Sequence, residues 1–127
     1  MKVEEFLTIL KSLDVNERGN YEIGYEICNS MNGTLNGNIY EIDYHANDKM
    51  VTLSNDVHLN SIFNLKDMYS LLSNIDNKES EVVFGHYIST GENSKTLITA
   101  DEYTFRINID DYYEAIEFAI NTKYLNI

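Results

Sequence analysis

Proline and tryptophan are absent from this 127-residue chain, and cysteine occurs once. A single thiol, Cys28, excludes an intramolecular disulfide and any four-thiolate zinc site. Basic residues are scarce. Nine Lys and Arg stand against 21 Asp and Glu, a net charge of −12. A field of that sign repels nucleic acid and anionic membrane and attracts cations and basic proteins. With only Arg18 and Arg106, the chain also lacks an obvious arginine clamp for phosphates. No segment approaches the run of about eighteen apolar residues that marks a membrane-spanning helix. The start, Met1-Lys2-Val3-Glu4-Glu5, carries no secretory signal, so the cytoplasm of a bacterial cell is the expected compartment.

What is present is ordinary in proportion, with 43% hydrophobic and 24% charged residues. That suits one soluble domain spanning residues 1–127, long enough to bury a core. Sixteen Asn and fourteen Ile point to a low-GC gene, of the kind carried by low-GC bacteria and their phages. Such genes are usually rich in Lys, yet only seven occur here. The acidity therefore exceeds compositional drift.

The stretch Tyr21–Ala46 is the expected organising unit. Its flanks, Y-E-I-G-Y-E-I-C and I-Y-E-I-D-Y-H-A, alternate apolar and polar residues as half-buried strands do. Asn32-Gly33 suits a type I′ turn. That turn would pair Tyr25 with Tyr40, Ile23 with Ile42 and Tyr21 with Tyr44, leaving Glu22, Glu26, Glu41 and Asp43 on the opposite face.

A helix is expected over residues 3–13, through Val3, Phe6, Leu7, Leu10 and Leu13, and a polar link over residues 14–20. A turn at Asn47-Asp48 leads to a short strand at residues 50–53, antiparallel to its predecessor, and then an irregular segment to Phe63. Asn64 caps a second helix through Leu65, Met68 and Leu72. Residues 81–89 form a central strand, apolar on both faces, and residues 95–99 and 102–109 two more. Asp110-Asp111 reads as the cap of a last helix with Tyr112, Tyr113, Ile116, Ala119 and Ile120 as its apolar stripe; the tail at residues 124–127 should dock on the body. The sum is an α+β domain, a mostly antiparallel sheet of about five to six strands packed by about three helices.

No motif of catalytic chemistry stands out. Cys28 falls on the acidic face of its strand, where carboxylates work against a thiolate nucleophile. There is no Gly-x-Ser-x-Gly elbow, and Asn32-Gly33-Thr34-Leu35-Asn36-Gly37 lacks the Lys and following helix of a phosphate cradle. His45 with Glu41, Asp43, Glu22 and Glu26 offers a metal-site alternative; His58 has no evident partners, and His86 lies on an apolar strand face. No cofactor and no catalytic residue are expected.

The acidic surface itself remains as the functional signal. Two patches compose it: the hairpin (Glu22, Glu26, Glu41, Asp43) and the start of the last helix (Asp101, Glu102, Asp110, Asp111, Glu114, Glu117). The expected function is a non-enzymatic inhibitor that binds a basic, nucleic-acid-binding partner protein, without touching nucleic acid or membrane. In size, acidity, low-GC character and want of a catalytic motif, the chain resembles the phage-encoded anti-CRISPR proteins, some of which mimic the charge of DNA. The resemblance is one of class and transfers no residues. The alternatives are an immunity protein neutralising a basic toxin, a metal-dependent enzyme or sensor using the acidic hairpin face, and a housekeeping domain whose charge serves solubility.

Overall fold

The alternating runs of β-branched and aromatic residues become strands, and the two strongest helical stripes become helices. A computed structural model of the chain describes residues 1–29, 33–57 and 61–126. Among these lie three helices: α1 (Val3–Ser12), α2 (Val15–Arg18) and α3 (Leu65–Ser73). Eight strands accompany them: β1 (Glu22–Asn29), β2 (Gly33–Asn38), β3 (Glu41–His45), β4 (Met50–Ser54), β5 (Glu81–Ser89), β6 (Lys95–Ala100), β7 (Thr104–Asp110) and β8 (Ala115–Asn121). They form two four-stranded mixed sheets, β2-β1-β8-β7 and β3-β4-β5-β6. The α+β class holds, with more strands than the sequence suggested.

Each sheet has one parallel pair at its centre, β1 with β8 and β4 with β5, flanked by antiparallel pairs. The chain passes from one sheet to the other at Ile39-Tyr40. There Ile39 N–H donates to the Ile23 carbonyl (3.0 Å) and Tyr40 N–H to the Ser54 carbonyl (2.9 Å). A second crossing joins β6 to β7, and the tail after β8 returns to β6, where Thr99 and Asn126 exchange backbone hydrogen bonds.

The inner faces of both sheets meet in one core. Phe6 of α1 reaches between them, its ring 5.5 Å from Phe118 of β8 and 6.3 Å from Phe84 of β5. Phe84 and Phe118 lie 5.9 Å apart. These offset and edge-to-face contacts are the arrangements aromatic rings favour, and all three side chains are fully buried. α3 begins as its sequence indicates, with Asn64 Oδ1 accepting from Asp67 N–H at 2.8 Å. α2, unforeseen, sits in the expected polar link; Asp14, at φ 62°, caps it through Glu17 N–H.

Two expectations are corrected. The hairpin from β1 does not continue to Tyr44. β1 pairs with β2, three residues short of the expected register, so Tyr25 faces Gly37, Ile27 faces Leu35 and Glu26 faces Asn36. Asn36-Gly37 is part of the strand, and the Asn32 half of the expected turn lies outside the described residues. Matching aromatic to aromatic misled because Tyr25 needs room, not a partner ring. A Cβ on Gly37 would stand 2.8 Å from the Tyr25 hydroxyl. β3, bearing Tyr44, pairs with β4 in the other sheet, antiparallel as expected for that pair.

The last helix is the second correction. Residues 111–114 form a turn and Ala115–Asn121 is strand β8, parallel to β1. Ile116, Phe118 and Ile120 alternate into the core at 1% exposure or less. The helical stripe was an alias of this period-two pattern. The Asp110 cap was real but belongs to a turn: its Oδ1 accepts from both Tyr112 N–H and Tyr113 N–H at 3.0 Å. Of the tail, Leu125 packs on the core and Tyr124 is exposed, whereas Ile127 lies outside the described residues.

Candidate acidic groove

Register fixes which side chains share the outer face of the β2-β1-β8-β7 sheet. Inward alternation of Ile23, Tyr25 and Ile27 puts Glu22, Gly24, Glu26 and Cys28 outward on β1. On β8 the same parity puts Glu117 outward, directly beside Gly24. Asn36 and Asn38 of β2 flank one side, and Arg106, Asn108 and Asp110 of β7 the other. At the Glu22 end, this face forms a depression of about 580 Å³ lined by Glu22, Glu26, Glu114 and Glu117 together with Tyr113 and Ile62. Strand geometry sets Glu117 about 8 Å from Glu22 and from Glu26, two residues along and one strand across.

Among the described residues, no Lys, Arg or His lies within ion-pair distance of these four glutamates. Glu117 accepts a long hydrogen bond from Asn108 Nδ2 (3.4 Å), and Glu26 one from the Cys28 thiol (3.6 Å). Gly24 and Ala115 between them add no bulk, which leaves the carboxylates accessible.

The turn beyond the groove is well fastened. Asp111 Oδ1 accepts from Arg18 Nε (3.1 Å) and from the Tyr21 hydroxyl (2.8 Å). The Tyr21 hydrogen bond and then the Arg18 guanidinium hold the Asp111 carboxyl below the ordinary range. Glu22 N–H donates to the Glu114 carbonyl at 3.1 Å, and Glu114 adopts φ 53° to end the turn. The result exposes Tyr112 and Tyr113, at 86% and 77%, rather than burying them in a helical stripe as expected.

The two patches read from the sequence are thus redistributed. Glu22 and Glu26 separate from Glu41 and Asp43, which sit on β3 of the other sheet, and join Glu114 and Glu117. On the paired strand Glu22 faces Ala115, and Asp43 is on the other sheet. Asp110 and Asp111 serve the turn. Asp101 and Glu102 lie on the β6–β7 corner, at the opposite end of the sheet, where Glu102 borders a separate depression with Cys28, Lys123 and Tyr124.

The metal alternative loses its geometry for the same reason. His45 pairs with Asp43 (Nε2–Oδ2 3.2 Å), but Glu22 and Glu26 are on the other sheet. Among the described residues, no group of three or more His, Cys, Asp or Glu side chains is placed to hold a metal ion. His58 lies outside the described residues. His86 is half-buried as expected, with Nδ1 2.6 Å from the Tyr25 hydroxyl. Sequence reasoning missed Tyr113 and Ile62 as groove residues. The signal for regrouping Glu117 with Glu22 and Glu26 was there, in the alternation of Ile116, Phe118 and Ile120.

Also among the described residues, no helix is long and apolar enough to cross a membrane. Compared with protein-family models, curated proteins and solved structures, the chain matches none of them.

Proposed function

We propose that this protein is a non-enzymatic inhibitor that presents its acidic groove to a basic, nucleic-acid-binding protein, a nuclease in the first instance or a toxin. The observation that carries this reading is the set of four glutamates lining one depression with no ion pair among the described residues. Carboxylates held near one another without cations raise the energy of the free protein, and a cationic partner relieves that cost on docking. Glu22 and Glu26 of β1 and Glu117 of β8 alternate across the paired strands with backbone positions about 8 Å apart, so the groove offers a row of negative charge to a surface built for a phosphate backbone. The fold supports such a role because charges on paired strands are more rigidly placed than charges on loops.

The test is recovery of partners from nuclease-treated lysate of a low-GC bacterium by the tagged protein. A variant with Glu22, Glu26, Glu114 and Glu117 changed to Lys runs alongside. A basic protein that binds the wild type, is lost from the variant, and is displaced from the wild type by DNA supports the reading. A partner that binds both forms equally and is indifferent to DNA contradicts it.

A further inference from the structure

The tip of the β7–β8 connection offers two large aromatic rings to solvent. Tyr112 and Tyr113 stack edge to face, with centroids 4.9 Å apart and planes at 87°. Their exposures of 86% and 77% leave ring faces open to an incoming group. The backbone beneath them is fixed by Asp110, by the Arg18 and Tyr21 contacts to Asp111, and by the Glu22–Glu114 hydrogen bond. Rings on a turn so fastened lose little further freedom on binding, and tyrosine is the residue most used in that way. Tyr113 also lines the groove, so the tip and the glutamates form one continuous surface.

Of the two cationic side chains a partner can supply, this surface suits arginine. A guanidinium stacks flat on a tyrosine ring while its fork reaches a carboxylate, and Glu114 adjoins Tyr113 in sequence. An ammonium group is a compact, strongly hydrated charge that gains less from the ring. We infer that Tyr112 and Tyr113 form an arginine-selective anchor, docking a protein surface that presents arginine, rather than lysine, at this end of the groove. The inference rests on the acidic-groove reading and adds the residue type the partner must carry.

Binding of octa-arginine and octa-lysine to the full chain at low ionic strength tests it. The comparison uses wild type, the double variants Y112A/Y113A and Y112F/Y113F, and the triple variant E22Q/E26Q/E117Q. Wild type should prefer octa-arginine by about fivefold beyond any preference left in Y112A/Y113A, and Y112F/Y113F should retain that margin because Phe keeps the ring face. The triple variant should weaken both peptides together. An arginine preference that is the same in wild type and Y112A/Y113A overturns the anchor and leaves the groove standing. Failure of wild type to bind either peptide overturns both. Because both rings are exposed, the tyrosine variants should match the wild-type unfolding midpoint, and a variant that does not is replaced by the corresponding single substitutions.

Discussion

The two sheets are built alike and treat their charges differently. Each has a parallel central pair between antiparallel neighbours, and each turns one face to the common core. On and beside the β3-β4-β5-β6 sheet, two acids have basic partners. Lys95 bonds Asp56, which is 7% exposed, and its ammonium lies 5.0 Å from the Tyr87 ring centre; Asp43 Oδ2 lies 3.2 Å from His45 Nε2, an ion pair when the imidazole is protonated. The Asp56 hydrogen bond, and more weakly the Glu41 charge, hold the Lys95 ammonium above its ordinary range. On the β2-β1-β8-β7 sheet, Glu22, Glu26, Glu114 and Glu117 form no ion pair among the described residues, although Arg106 of β7 shares their face. Among the described residues, one outer face thus has acids with basic partners and the other has four glutamates without an ion pair, and the docking face proposed above is the second.

Truncating the shared core should break both sheets at once. Phe118→Ala removes the ring that touches Phe6, Phe84 and Phe105, and should cost about 3–5 kcal/mol in urea unfolding. A loss below about 1 kcal/mol would mean the sheets do not share a core at Phe118.

The Tyr25–His86 contact links the sheets more weakly. Burial holds the phenol protonated and lowers the imidazole below its usual value, so a neutral hydroxyl and a neutral imidazole share the hydrogen bond. Tyr25→Phe should cost about 1–2 kcal/mol at neutral pH, since the half-buried His86 Nδ1 loses its hydrogen-bond partner. The lowered imidazole fixes the sign of the pH dependence. Its contribution is fully present above the unfolded value of 6.5 and is lost as pH falls through the lower folded value. His86→Gln, which can still accept from Tyr25, should show less loss of stability than wild type between about pH 7 and pH 5. Equal losses would place the acid sensitivity elsewhere.

Two charge removals sharpen the contrast between the outer faces. Lys95→Met should lower the thermal midpoint, because it removes the Lys95–Asp56 ion pair from a mostly buried carboxylate. The triple variant E22Q/E26Q/E117Q should instead raise stability by about a few tenths of a kcal/mol, an effect that shrinks as salt rises. If the triple variant were destabilised as Lys95→Met is, the groove glutamates would be structural groups, and the distinction between the sheets would fail.

Local signals in the sequence identified α1, α3, β4, β5 and β6 with nearly correct ends, because their periodicities and caps have one reading. β2 was hidden. Its Gly33-Thr34-Leu35-Asn36-Gly37-Asn38 has the composition of a loop, and it becomes a strand through pairing with β1 and the seating of Tyr25 over Gly37. β8 was ambiguous, because Ile116, Ala119 and Ile120 satisfy helical spacing while Ile116, Phe118 and Ile120 satisfy that of a strand. The acidic residues of the groove were all identified individually. Their grouping was not, because it depends on the parallel β1–β8 pairing between residues far apart in the chain.

A two-dimensional amide NMR titration with octa-lysine at low ionic strength compares the two faces directly. The account predicts shifts concentrated on β1, β8 and residues 110–114, with the β3–β4 hairpin unmoved. Shifts centred on Glu41–His45, or spread evenly over all the acidic residues, would contradict it.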